Sequence, residues 1–230
     1  MLKKTKFLLV AALISSIFLS AAMLLMNAKS VVNDRNFYVS EFKKYYVYSE
    51  LKEYNVDEIN NGVIEFINSR KASLPENFFT EKEISHLNDV RSVIKRGYLI
   101  LLISIQIFAG FVVLSLFMLK DIKKILFYVS LCIALSSMLT LIIGAVFLIS
   151  VKTGFSASFE VFHKSFFDSG SYTFNPSVEK IVVLYPENLF YDAGVKILLN
   201  SLIWAVLLLF ISFLVMWFTR RKEITKPVIS

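Results

Sequence analysis

The sequence predicts an all-α integral membrane protein: four transmembrane helices and a small mixed extracytoplasmic cap formed by two loops. Three observations carry that prediction. Of the 230 residues 56% are hydrophobic, four long apolar runs contain no charged side chain, and basic residues gather at one set of run ends. A soluble domain of this size has too little interior to hide so apolar a composition, so a second solvent is required.

The first span is read at residues 7–27, behind Lys3, Lys4 and Lys6 in a cytoplasmic N-terminus of residues 1–6. Lysines before an apolar stretch also begin secretory signals. Here the run Phe7–Met26 exceeds the usual apolar core of about 7 to 15 residues, and the small residues Ser20-Ala21-Ala22 lie inside it rather than after it, so an uncleaved anchor is expected. The second span is read at 97–119 and the third at 125–151, joined by a cytoplasmic loop, 120–124, that holds Lys120, Lys123 and Lys124. The fourth, 197–218, precedes a cytoplasmic C-terminus, 219–230, with Arg220, Arg221, Lys222 and Lys226. Each run approaches or exceeds the roughly 20 residues a helix needs to cross about 30 Å of hydrocarbon. Helix is the state that satisfies every backbone polar group within such a run.

The formal charge of +7 follows from this arrangement. The three short segments at the cytoplasmic ends hold the basic residues just named against only Asp121 and Glu223, and the two remaining loops are close to charge balance. A basic surface of that kind faces an anionic leaflet, and no nucleic-acid partner is indicated. The single cysteine, Cys132, falls within the third span, which leaves it neither an internal disulfide partner nor access to solvent as a nucleophile.

The two extracytoplasmic loops, 28–96 and 152–196, carry aromatic and β-branched residues rather than the composition of disorder. Asn36 to Tyr48, rich in Phe, Tyr and Val, is read as a strand or an interface-hugging segment. Val56, Ile59, Val63, Phe66 and Ile67 recur at helical spacing behind Asn55, an N-cap with Glu58 three residues on, and Leu74-Pro75 is expected to end that element. Thr80-Glu81-Lys82-Glu83 is a capping box, so a helix is expected from Glu81 with Ile84, Leu87, Val90 and Ile94 as its apolar stripe. In the second loop, Phe159, Phe162, Phe166 and Phe167 mark one face of a short interfacial helix, and Asn175-Pro176 and Tyr185-Pro186 mark turns.

The only two histidines, His86 and His163, both fall in these loops, each close to a span. Asp89, three residues beyond His86 on the same helix side, is placed to fix its ring tautomer. His163 has Phe159 and Phe167 four residues to either side, and burial among them would favour the neutral base. The bland reading is two interfacial histidines with satisfied hydrogen bonds. Zinc held by the two rings with Asp89 or Glu160 would make a membrane hydrolase, but neither HExxH nor CxxC spacing occurs, and no metal is assigned. A GxSxG elbow, a P-loop and a GxGxxG are absent as well.

The run from Phe78-Phe79-Thr80-Glu81 through His86 to Asp89-Val90-Arg91 resembles the FFTExEIxHxxDVK signature of the bacterial lipoprotein intramolecular transacylase family. Phe162-His163-Lys164-Ser165-Phe166-Phe167, Asn175-Pro176 and Tyr185-Pro186-Glu187-Asn188-Leu189-Phe190 resemble its FHxxFF, DP and PExFF blocks. Arg91 stands for Lys, Asn175 for Asp, Tyr172 where Trp is expected, and Leu189 for Phe. The resemblance implies an acyltransferase of the bacterial cytoplasmic membrane, N-in and C-in, working on its extracytoplasmic face. It would move an acyl chain from the glyceryl group of a diacylated lipoprotein to the α-amine of that lipoprotein's own N-terminal cysteine, giving lyso-form lipoprotein. His86 and His163 would be catalytic, with Asp89, Arg91, Tyr185 and Glu187 in support or substrate binding. No cofactor is implied, and the partners are the lipoprotein and membrane lipid. The competing reading from another class is a non-catalytic membrane sensor or partner-binding protein.

Overall fold

The computed structural model describes residues 2–68, 73–75 and 77–221, and among these every regular element is helical. In chain order they are α1 (Leu2–Val32), α2 (Arg35–Lys44), α3 (Val47–Glu50), α4 (Val56–Asn68), α5 (Glu81–Met118), α6 (Ile122–Phe166), α7 (Ile181–Leu184) and α8 (Glu187–Arg221). Four of them, α1, α5, α6 up to Ser150, and α8, contain stretches long and apolar enough to cross a membrane. The helix α5 has 38 residues, which at 1.5 Å per residue is about 57 Å. That is nearly twice the hydrocarbon thickness. A single crossing therefore does not need the whole helix, whose first part, Glu81 to Arg96, carries its charged residues.

The chain divides into two compact units. The first comprises Met1–Asn27, Ile100–Phe147 and Leu198–Ser230. Large apolar side chains point outward here: Phe117 is 85% and Phe210 is 63% exposed, as lipid-facing residues must be without a bilayer around them. Small and hydroxyl residues occupy the interior instead, including Ser15, Ser20, Ser104, Ser137 and Thr140, and the Ser20 and Thr140 hydroxyls share a hydrogen bond of 2.9 Å. Helices in lipid associate through such close approach rather than by burying oil from water. Gly144 shows how close: a Cβ there would lie 2.7 Å from Leu202 Cδ2. Cys132 is fully buried beside Ala12 and Phe111, so it is a core residue.

The second unit comprises Ala28–Leu99 and Leu148–Ile197, with an apolar core that includes Phe42, Val47, Val63, Phe78, Phe79, Leu87, Ile181, Leu184 and Leu189. The mixed cap expected from sequence is corrected: the segment read as a strand or interfacial stretch is helical, forming α2 and α3. Asp34 caps α2, its Oδ1 accepting from the Phe37 amide at 3.1 Å, and Phe37, Glu41 and Phe42 fall on one buried face. The composition suits a strand, but the helical spacing of its buried residues decides the outcome. Tyr46, in the left-handed region at φ 60°, separates α2 from α3.

The helix expected behind Asn55 is α4. Asn55 Oδ1 accepts from the Glu58 amide at 3.3 Å, and Asn55 Nδ2 donates to Glu58 Oε2 at 3.1 Å. Its described residues run from Val56 to Asn68, and Pro75 packs on Gly62, where a Cβ would meet its ring at 3.0 Å. The capping box also forms as expected. The Glu83 amide donates to Thr80 Oγ1 at 3.3 Å, and Glu83 Oε2 accepts from the Thr80 amide at 2.6 Å. The stripe that follows is rotated from the expected one: Ile84 is exposed, while Glu83 and His86 are buried beside Leu87. Glu83 can take the interior position because its other oxygen, Oε1, accepts from the Ile181 amide at 2.6 Å, so both of its oxygens have backbone partners.

Candidate active site

His86 sits less than one turn into α5 beyond the capping box. His163 sits near the end of α6, past a break at Gly154, whose φ of 146° and ψ of 100° separate the spanning helix from a second helical stretch ending at Phe166. Both histidines belong to the second unit. Their rings lie nearly parallel, 17° apart in plane, with centroids 6.3 Å from each other.

The walls of this site are aromatic. Phe167 and Phe174 contact His86 at centroid distances of 4.8 and 5.3 Å. Phe159, Tyr172 and Phe167 contact His163 at 4.2, 5.1 and 5.4 Å, and Phe162 lies at 5.6 Å. The i±4 pair Phe159 and Phe167 thus flanks His163 as its spacing predicts. Tyr172, which stands where the related motif has Trp, still packs a ring on the imidazole.

Hydrogen bonding distinguishes the two rings. Nδ1 of His163 lies 2.8 Å from the Phe159 carbonyl oxygen. A carbonyl only accepts, so Nδ1 carries the proton, and in the neutral ring Nε2 is left with the free lone pair. His86 is only 7% exposed, and its Nδ1 is buried with no hydrogen-bond partner among the described residues. Burial, and after it the neighbouring His163, push the His86 imidazole down from its ordinary value to about 4. At neutral pH it is therefore an uncharged ring.

The other residues singled out by sequence are dispersed. Asp89 is half-buried and makes no hydrogen bond to His86 among the described residues. Arg91 stacks its guanidinium 4.6 Å from the centre of the Phe66 ring. Tyr185 is a core residue whose hydroxyl donates to Asn60 Oδ1 at 2.9 Å and whose ring contacts Tyr38 and Phe42. Glu187 opens α8, exposed, where a carboxylate complements the helix dipole. Leu189 is buried in the core. Among the described residues no three His, Cys, Asp or Glu side chains gather into a donor set for a metal.

Sequence reasoning missed the role of Phe174 as a wall of the His86 pocket and the second bond of Glu83. Glu83 was legible as a helix cap, but nothing local announces a partner 98 residues further along the chain.

Four helices long and apolar enough to cross a membrane place the chain in the class of multi-pass membrane proteins, and its second unit carries a pair of near-parallel, aromatic-walled imidazoles. The model of the lipoprotein intramolecular transacylase Lit family matches residues 13–190, and the chain belongs to that family of transacylases. No curated protein sequence matches it. Among solved structures it resembles the membrane-integral lipoprotein intramolecular transacylase Lit from Bacillus cereus, with a TM-score of 0.75 at 19% identity, covering 96% of this chain and 100% of that one. A form of the Bacillus cereus protein with one histidine changed to alanine matches with a TM-score of 0.72 at 19% identity, covering 96% and 97%.

Proposed function

We propose that this transacylase moves one acyl chain from the glyceryl group of a diacylated lipoprotein to the α-amine of the same lipoprotein's N-terminal cysteine, with His86 and His163 acting as one unit. The observation that carries this reading is the stacked pair itself: two imidazoles from distant parts of the chain, 6.3 Å apart among aromatic rings, with one nitrogen of His163 committed to a carbonyl and the other without a hydrogen-bond partner among the described residues.

The free Nε2 of His163 takes a proton from the α-amine as its nitrogen attacks the ester carbonyl. An imidazole nitrogen with an available lone pair, brought within hydrogen-bond reach of the attacking amine, is suited to this transfer as a general base. The neutral His86 ring carries one N–H, which donates to the oxyanion of the tetrahedral intermediate, where a low-dielectric pocket strengthens the bond. Collapse breaks the ester C–O bond, and the His163 imidazolium returns its proton to the departing glyceryl oxygen. One amide forms, one hydroxyl is released and both histidines are regenerated. Donor and acceptor belong to one molecule, so orientation supplies much of the rate and no external acyl donor is consumed.

Mass spectrometry of a lipoprotein's N-terminal peptide, from cells with and without this protein, tests the reaction. The expected product has one chain on the cysteine nitrogen and one on glycerol, only where the protein is present. An unchanged diacylated peptide in both would overturn the reading.

A further inference from the structure

Lys82 and Glu83, adjacent in the first turn of α5, reach the same stretch of chain from its two ends. Lys82 Nζ donates to the Thr173 carbonyl at 2.5 Å, pairs with Glu179 Oε1 at 3.1 Å and lies 4.9 Å from the centre of the Phe174 ring. Glu83, fully buried, spends one oxygen on its own cap and the other on the Ile181 amide. The bound stretch is held internally too: Glu179 Oε2 accepts from the Asn175 amide at 2.5 Å, and Asn175 Oδ1 accepts from the Ser177 amide at 3.0 Å. It carries Phe174 and follows directly on Tyr172, the rings that lie on His86 and His163 respectively.

We propose that Lys82 and Glu83 are positioning residues: a two-point clamp that holds residues 173–181 closed over the imidazole pair and so fixes the His86 ring against His163. Among the described residues neither side chain is hydrogen-bonded to either imidazole. They act through Phe174 and through the start of α5, and a carboxylate satisfied wholly by two backbone amides cannot be exchanged for an amide without setting N–H against N–H at one of them. The proposal rests on the two-histidine reading for its effect on rate, but not for its effect on the pocket.

The test compares Glu83→Gln and Lys82→Met with the unaltered full-length protein in detergent, by two readouts. The first is transfer kinetics on a diacylated lipoprotein. Loss of one buried backbone partner corresponds to a fall in kcat of about tenfold to a hundredfold, with KM within about twofold. The second is ethoxyformylation by diethyl pyrocarbonate, mapped by peptide mass spectrometry, which is unambiguous because the chain has two histidines. Opening the clamp uncovers His86, and its modification is expected to accelerate by about tenfold or more in both variants. Unaltered kcat together with unaltered His86 reactivity in Glu83→Gln would overturn the proposal. If Glu83→Gln fails to accumulate in the membrane, Lys82→Met decides alone, with His86 reactivity at the level of the unaltered protein counting against the clamp. Should His86→Ala and His163→Ala retain transfer, the catalytic reading falls while the reagent still judges the clamp.

Discussion

His86 is buried at a cost that acid should reveal. Its ring is held neutral, with burial the larger cause and His163 the smaller, so the folded protein takes up a proton there only near pH 4, against an ordinary value of 6.5. The unfolded chain binds that proton as pH falls through about 6.5. Acidification across this window therefore favours the unfolded state, by at most about 1.4 kcal/mol per pH unit from one ring, and the contribution is absent above it. Thermal midpoints in detergent for the unaltered protein and His86→Gln should converge or cross between pH 6.5 and 4 and keep a constant gap above pH 7. Parallel curves throughout would show that the ring is not held neutral. The candidacy of His86 and His163 was legible because no other histidine exists, but the differing environments of the two were not. One ring's carbonyl partner follows from local helix geometry, whereas the other's burial depends on Phe174, far away in sequence.

At the scale of elements, local chemistry was legible wherever caps and periodicity agreed. The Asn55 cap, the Thr80-Glu83 box and the aromatic spacing around His163 all form as their residues predict. The failures came where tertiary partners override composition: Asn36 to Tyr48 looks strand-like yet buries a helical face, and the α5 stripe turns because Glu83 finds the Ile181 amide. The break at Gly154 is an element-level device that makes its own prediction. At φ 146° a side chain is strained even though open space surrounds the position. Gly154→Ala should therefore cost about 1 to 3 kcal/mol or straighten α6, displacing Phe159 and His163 together. Acyl transfer reduced tenfold or more with normal membrane insertion is the expected result, and normal transfer would show that the break is not needed to place His163.

For the whole molecule, the four apolar helices were legible from length and charge alone, because lipid leaves a chain so few choices. Orientation is the further consequence. Basic residues flank one set of span ends, so the second unit should face away from the cytoplasm. In a Cys132→Ala background, an impermeant thiol reagent applied to intact cells should label a cysteine placed at Asn61 and spare one placed at Asp121, and the reverse pattern would invert the topology. The convergence of His86 and His163 is the part no local pattern could supply, since two spans separate them in the chain. Two groups that work as one unit lose their effect together rather than additively. The decisive measurement is therefore lyso-form lipoprotein production by His86→Ala, His163→Ala and the double variant, each matched for protein level in the membrane. Each single substitution should abolish transfer, with the double variant little worse than either. Near-normal transfer by either single variant would contradict a catalytic histidine pair.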